Sequence, residues 1–563
     1  MRRRSSMLVA IVGVVALLAV PGAASGTGRG APPHRLMYPG PLCNGTLQQC
    51  IDGVAASGNI IELDSNDDLG TATVDKSLTL KASDGFHPSL DFLEVDDESQ
   101  AQPTRITVRD LTVKTRVEVL PTIEGDEFTI EHLTVRQQTD EGDPAIEVRI
   151  LAPSTVDLVG NTAGSMSHQM DAILVDNMSP DGPSHVRVLG NQVSDHGASD
   201  AYGGIQVVNH DAGKLVAEVD GNSVWDVGQC GCGAASGILV WAPGGPVTAD
   251  VVGNSIDRSA GSGLAVDGSL GHRVTAEAFD NVISHTVYPV YVSDGSPSRV
   301  TLHAGTNDFF ANTSPPPLAG HSLGTGNLHV NPKYKDAPFG DLRLLAGSPL
   351  VDSGLVCSPG GVENLDAAGH GRLHGAGVDI GAFELGAGAP TGNAYVGGGG
   401  ADVFTGTPGA DILCGMGGAD ALNGAGGADW IDGGDGPDRL TGGAARTCCW
   451  AAPGKRPVPR RTGRPPERLG RRRARHRPLP VGRGRPCRPR RGSFELLDLS
   501  RGSGRSGSAR TLVARSRQLM SSPAAASGAF DETDRTPDAH RSTRRNPKEE
   551  PCACGRRSSR SRS

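Results

Sequence analysis

Val156-Asp-Leu-Val-Gly-Asn161, Val186-Arg-Val-Leu-Gly-Asn191, Ala217-Glu-Val-Asp-Gly-Asn222 and Ala249-Asp-Val-Val-Gly-Asn254 are four versions of one phrase. Each is a short apolar-rich run that stops at Gly-Asn, and two looser versions come after them, AEAFDN (276–281) and LHAGTN (302–307). The asparagines stand 30, 31, 32, 27 and 26 residues apart. Between them lies a second run: Ala172-Ile-Leu-Val175, Gly204-Ile-Gln-Val207, Gly237-Ile-Leu-Val240, Gly263-Leu-Ala-Val266 and Pro289-Val-Tyr-Val292. Upstream, ITVRDLTV (106–113) and FTIEHLTV (128–135) repeat at a spacing of 22. Two or three short strands per period, with one corner residue recurring, describe a solenoid in which each coil buries its apolar positions only against its neighbours. Asparagine suits the corner because it tolerates a left-handed backbone and its amide can bond to the next coil's amide. A stack of sandwich domains would show turns every 8–12 residues without this period. The expected fold is therefore all-β, a parallel β-helix of about ten coils. Ile205, Ile238, Leu264 and Val290 form one inward stack in it, and Gln206 faces out. Only 4% of residues are aromatic, which fits a narrow core of Val, Ile, Leu and Ala.

Residues 397–441 read as five unbroken nonapeptides: GGGGADVFT, GTPGADILC, GMGGADALN, GAGGADWID and GGDGPDRLT. Asp402, Asp411, Asp420, Asp429 and Asp438 recur in register, and an apolar residue follows each by two: Phe404, Leu413, Leu422, Ile431 and Leu440. Glycine allows tight turns with exposed carbonyls and aspartate adds a hard anionic oxygen, a donor set suited to Ca2+. A flexible Gly-rich linker has no reason to hold Asp and an aliphatic residue in step over five periods. The pattern resembles the hemolysin-type (RTX) calcium-binding repeat. That resemblance implies a parallel β-roll with Ca2+ between successive turns, held through the five aspartates and Gly397, Gly400, Gly409, Gly418, Gly427 and Gly436. Thr407, Met416 and Ala425 replace the second glycine of the middle three repeats, which weakens the sites expected there.

The basic start Met1-Arg-Arg-Arg4, the apolar run 7–20 and the small residues after Pro21 read as a secretory signal peptide over 1–25, with an uncleaved anchor as the alternative. No later segment is long and apolar enough to cross a bilayer. An exported chain meets millimolar calcium, which even loose sites can use. Charge is divided: residues 445–563 hold 29 Arg and 2 Lys against 9 acids, so a total of −8 leaves −30 on residues 1–444. The nonapeptides fail at Ala445-Arg446, and the residues from there to the C-terminus have the composition of GC-rich codons read out of frame. They read as a disordered basic tail without evolved function, and no nucleic-acid partner is expected. Cys43 and Cys50 flank a capping box, Thr46-Leu-Gln-Gln49, and can staple that helix, whereas Cys230 and Cys232 pair with each other or with Cys357.

The Gly-Asn coils are similar to those of the right-handed parallel β-helix repeat family, the architecture of pectate lyases. The block NPKYKDAPFGDLRLLAGSPLVDSG (331–354), followed by VDIGAFE (378–384), resembles the C-terminal end of the choice-of-anchor Q group of exported β-helix proteins. That resemblance implies a strand at 341–344, a turn over 347–354 and closure of the domain at 379–384; it implies no reaction. The chain then divides into a signal peptide (1–25), a linker (26–40), the β-helix (41–388), a second linker (389–396), the calcium-binding repeats (397–444) and the basic tail (445–563).

Polysaccharide lyases, hydrolases and epimerases also use this fold, and their sites need carboxylates and a base clustered on adjacent coils. Asp195, Asp226 and His285 each fall four residues after a corner Asn and Asp257 three after, so coils ~4.8 Å apart would stack them in a ladder. Asp195, His196 and Asp226 are the catalytic candidates, with Arg258, Asp200 and Tyr202 nearby. Against them, the corners of an acidic solenoid are polar by default, and no epimerase YG-x-D-P-H or paired polygalacturonase aspartates occur. The reading is an exported calcium-binding β-helix protein, a binding or structural module at or outside the cell surface whose partner is a polysaccharide or surface component. The rival is a uronate lyase or epimerase.

Overall fold

Each coil supplies three short strands, and each strand pairs in parallel with its counterpart one coil on. The computed structural model describes residues 34–450 except 55–57, 138–142, 166–170, 196–202, 229–234, 359–360, 362–363, 376, 387, 389–391 and 444–447. Its first sheet has eleven strands, from Arg35–Tyr38 to Val300–Gly305. The second has nine, from Ser89–Leu90 to Asp308–Phe310, and the third has nine, from Thr71–Val74 to Tyr288–Ser293. One full coil is Lys214–Asp220, Ser223–Val227 and Ser236–Trp241. This is a parallel β-helix. The expected signal peptide lies outside the described residues, as does all of the expected tail except 448–450.

Inward positions form columns. Ile173, Ile205, Ile238, Leu264 and Val290 stand in register along the third sheet, all buried. Gln206 departs from the expectation of an outward, solvated residue: it is buried, and its Nε2 donates to Asp171 Oδ1 at 2.9 Å. A carboxylate there would confront that of Asp171, so the position is not a neutral surface site.

The corner between the first and second sheets carries the recurring asparagines. The left-handed residue is the one before each asparagine, a refinement of the expected reason for choosing Asn: Gly160, Gly190, Gly221 and Gly253 have φ of 62–66°, and Asp280 and Thr306 repeat the conformation. The asparagines themselves are buried and bonded in a column. Asn161 Nδ2 donates to Asn191 Oδ1, Asn191 to Asn222 and Asn222 to Asn254, each at 3.0 Å. The column continues through Asn281, Asn307 and Asn327 at 2.9, 2.9 and 3.3 Å. Each Oδ1 also accepts the backbone N–H of the preceding Asn, and each Nδ2 also reaches a strand carbonyl, as Asn222 does to Val188 O at 2.7 Å. Every polar atom of the side chain is thus satisfied inside the fold, which is the condition for burying an amide.

The N-terminal end is closed by the helix Leu47–Gly53, which buries Leu47, Cys50 and Ile51 in the solenoid core. Thr46 and Gln49 form the reciprocal capping box, and Cys43 is bonded to Cys50. At the other end the chain turns back. Residues 328–385 run along the outside of the second sheet: Gly381 N donates to Asp280 O at 2.8 Å, Ala382 N to Ser255 Oγ at 2.9 Å, and Gln192 Nε2 to Ala367 O at 3.2 Å. Val282 packs with Leu344, Leu350 and Ile380, while Trp225 packs with Leu342, Ala382 and Phe383. Asp341–Leu344 is a strand, paired antiparallel with Tyr334–Asp336.

This closing segment buries several acids around Arg372, itself buried and donating to Gly381 O at 2.8 Å. Burial pushes the Glu384 carboxyl up to about 9 and that of Asp280 up to about 7. Glu384 is therefore protonated in the folded protein at neutral pH but ionised when unfolded, so the folded state holds the extra proton between about 4.5 and about 9. Stability must fall as pH rises through that window. Glu384→Gln should flatten the slope, matching the parent near pH 5 and exceeding it by roughly 1–3 kcal/mol at pH 8 in chemical denaturation.

A second expectation concerns the corner. Asn222→Ala leaves the N–H of Asn191 and the amide of Asn254 with a partner missing, and should destabilise the solenoid by roughly 2–4 kcal/mol in the same measurement. Tyr291→Ala, on an outer face and 41% exposed, should change stability by less than about 1 kcal/mol.

Candidate metal centre

Beyond residue 393 the strands shorten to three residues and the coil changes. Ala394–Val396, Ile412–Cys414, Trp430–Asp432 and Cys448–Trp450 form one parallel sheet, and Val403–Thr405, Ala421–Asn423 and Arg439–Thr441 form another. Strand partners lie two nonapeptides apart, as in Ile412 beside Trp430. In the six strands from Ala394–Val396 to Arg439–Thr441 the middle residue points inward, so Leu413, Leu422 and Ile431 are buried with Tyr395, Phe404 and Leu440 around them. Cys448–Trp450 extends its sheet past residue 445, where the repeats were expected to stop.

The turns alternate between two edges of this roll. Turns 397–402, 415–420 and 433–438 lie on one edge. Asp402 N donates to Asp420 Oδ1 at 2.8 Å and Asp420 N to Asp438 Oδ1 at 3.1 Å, so each carboxylate is locked to the neighbouring turn. The other oxygen of Asp420, and that of Asp438, is buried with no protein hydrogen-bond partner. It occupies the space beside the first glycine of its own turn: a Cβ on Gly415 would meet Asp420 Oδ2 at 2.4 Å and Gly433 O at 2.8 Å, and one on Gly433 would meet Asp438 Oδ2 at 2.4 Å. Gly397 stands in the same relation to Asp402. The fourth glycines permit close stacking, since a Cβ on Gly418, Gly427 or Gly436 would strike the carbonyl oxygen of Gly400, Gly409 or Gly418 within 2 Å. Met416 and Ala425 take the left-handed conformation of the glycine they replace, with φ of 63° and 61°. Such a conformation costs about 1–2 kcal/mol for a residue with a Cβ.

On the opposite edge lie Asp411 and Asp429. Here Asp411 Oδ1 accepts from Asn393 N at 2.7 Å, and the Thr407 hydroxyl donates to the same carboxylate at 2.9 Å. Its Oδ2 accepts from Thr407 N at 2.8 Å. Threonine in place of the second glycine thus engages the carboxylate that a metal would use.

A buried carboxylate oxygen without a partner calls either for a proton, as on Glu384, or for a cation against it; recurrence of the same oxygen in register on Asp420 and Asp438 favours the cation. The first edge supplies that oxygen from successive turns beside backbone carbonyls, an all-oxygen set that fits a hard cation of flexible coordination, Ca2+. Among the described residues no three His, Cys, Asp or Glu side chains converge on one point, as a site built from one carboxylate per turn plus carbonyls requires.

The outer face of the first roll sheet is not free. Ile412, Cys414, Val396, Met416 and Trp430 pack on Val356 and Val378 of the closing segment. Cys414 is bonded to Cys357, which excludes the expected pairing of Cys357 with Cys230 or Cys232; the latter two lie outside the described residues. The sequence carries a mark of this contact: Cys414 stands at the ninth position of its repeat, where the others carry Thr405, Asn423, Asp432 and Thr441.

The catalytic candidates divide. His196, Asp200 and Tyr202 lie outside the described residues, and Asp195 ends the strand Gln192–Asp195. Asp226 aligns with Arg258 and then His285, and all three are left-handed, with φ of 59°, 58° and 53°. The ladder is a second corner of the solenoid. Its neighbour Asp257 departs from the solvent-facing expectation: it is fully buried, accepting from Ser284 Oγ at 2.7 Å and bonded to His285 Nδ1 at 2.7 Å. Arg258 lies over Trp225 and bonds to Ala337 O of the closing segment. Tyr334 of that segment is half-buried over the same face with its hydroxyl enclosed, and the loss of solvent around that hydroxyl raises its phenol.

The family profile described as the RTX calcium-binding nonapeptide repeat, in four copies, matches residues 396–431 and 423–445. Among curated proteins, none matches the chain. The roll is thus an RTX calcium-binding module carried by a chain whose larger part is a parallel β-helix.

The two edges should differ in a calcium titration followed by Trp430 fluorescence. Asp420→Asn, which weakens two inter-turn positions at once, should raise the calcium midpoint by roughly tenfold or more. Asp411→Asn, on the edge already engaged by Thr407, should move it by less than about threefold.

Proposed function

We propose that this is an exported protein whose β-helix serves as a binding or structural module at or outside the cell surface, with calcium held along the edge of Asp402, Asp420 and Asp438. The carrying observation is the pair of buried, unpartnered carboxylate oxygens on Asp420 and Asp438. A roll built this way needs a compartment rich in calcium, which is the extracellular one. The N-terminal basic and apolar stretch agrees with export, and the block 331–384 agrees with the choice-of-anchor Q resemblance. For a glycan partner, the third sheet offers an outer face bearing Leu239, Trp241 and Tyr291. Trp241 is held edge-on to His210 at 5.5 Å. Aromatic rings standing on a flat sheet present apolar faces to which sugar rings can stack.

One observation favours the rival enzyme reading. His285 is 46% exposed while buried Asp257 holds its Nδ1, the arrangement that orients a general base.

Both readings meet in one experiment. The full chain in calcium is incubated with alginate, pectate and neutral glucans, scoring retention on the insoluble polymer and release of unsaturated products. Retention that falls at least fivefold in Trp241→Ala, with an unchanged Tm and no product, supports the binding module. Product formation lost in His285→Ala would replace it with the enzyme.

A further inference from the structure

The roll has little to hold it together without its ion. Its interior is a single file of Leu413, Leu422 and Ile431, and Asp411, Asp420 and Asp429 are buried with it. Such a core is too small to fold the segment unaided. The strand that carries Cys414 is therefore in place only when the roll is folded. Cys414 then lies fully buried between the roll and the closing segment, with Ile412 beside it and Val356 and Val378 opposite. Asp411 lies in the turn that leads into this strand, and its backbone N–H donates to Asp429 at 3.2 Å in the next turn. The partner of Cys414, Cys357, belongs to the β-helix's closing segment, is partly exposed and is 57 residues away in sequence.

We infer that Cys357–Cys414 is a calcium-gated covalent lock: calcium folds the roll, the folded roll brings Cys414 to Cys357, and the bond once formed strengthens calcium binding in return. The inference rests on the calcium reading of the roll. Closure is a thiol–disulfide exchange with an external small-molecule disulfide as oxidant. The Cys357 thiolate, the accessible one, attacks that disulfide, giving a mixed disulfide and releasing one small thiolate. The Cys414 thiolate then attacks Cys357 Sγ and expels the second. Two protein thiols lose two protons and two electrons, and one small disulfide becomes two thiols. Without calcium the second step has no nearby nucleophile, and Cys357 remains open to reduction or to other cysteines of the chain. Reciprocity is a matter of linkage: if bound calcium favours the bond, the bond favours bound calcium by the same factor, because it keeps the unfolded roll tethered where it docks.

The test uses the full reduced chain, oxidised with glutathione disulfide in either calcium or EGTA, quenched with acid and mapped by peptide mass spectrometry for the 357–414 cross-link. In parallel, roll folding is followed by Trp430 fluorescence and far-ultraviolet circular dichroism. The expected result is a cross-link yield at least tenfold higher in calcium, abolished at the same calcium concentration by Asp420→Asn. The oxidised parent should also show a calcium midpoint several-fold lower than Cys357→Ser. Equal cross-linking in calcium and EGTA, with a roll that does fold on calcium, would overturn the gate and leave the calcium reading standing. A roll indifferent to calcium by both optical signals would overturn both. An identical calcium midpoint in parent and Cys357→Ser would remove the reciprocal strengthening and with it the lock.

Discussion

An amide buried in a protein must find a partner for its oxygen and its nitrogen, and in this molecule each corner asparagine finds them in the coils on either side. The column from Asn161 to Asn327 is therefore a set of constraints on register. Slipping one coil by one residue would strand two amides and turn the inward Ile205–Ile238 column toward solvent. The left-handed glycine before each asparagine lets the chain turn sharply enough to place the amide there. Where glycine gives way to Asp280, the carboxyl is in turn used, accepting Leu355 N at 3.0 Å from the closing segment. The strands could pair in parallel without the ladder, but they would not be told which residue pairs with which.

The closing segment sets which faces of the solenoid meet solvent. It covers the C-terminal half of the second sheet, removing Asp257, Ser255 and Val282 from water, and its far side receives the roll through Val356 and Val378. The column of polar residues that looks like an active-site ladder in one dimension is thus largely a corner pressed under a brace. Its His285 reaches solvent, but its Asp257 works inward.

What could be read in the sequence was whatever repeats. The asparagine spacing located the coils, the stack Ile205–Val290 and the all-β class. The nine-residue period gave the register of the aspartates and the calcium-binding character of the repeats. What could not be read depends on a single, distant contact. Gln206 alternates with its neighbours as an outward residue, yet it is buried and bonded to Asp171 of the adjacent coil. Cys357 offers no clue to its partner until the roll is docked. The hydroxyl of Thr407 reads as a lost glycine, although in space it ties up a carboxylate. The end of the roll also differs: Cys448–Trp450 pairs with Trp430–Asp432, and the backbone pairing of a parallel strand needs no motif.

A stack of coils that touch only their nearest neighbours unravels like a zipper, one unit at a time from whichever end is weakest. The brace changes that behaviour over the C-terminal half. It joins Gln192 to Ala367, Ser255 to Ala382 and Asp280 to Leu355 across separations of 175, 127 and 75 residues. A coil between Asn191 and Asn281 cannot peel away without also breaking its own contacts with the brace, which ties it to coils that are not its neighbours. The C-terminal half should consequently open as one block, while the coils before Asn161 are free to fray singly, and amide hydrogen exchange would divide the solenoid at that boundary.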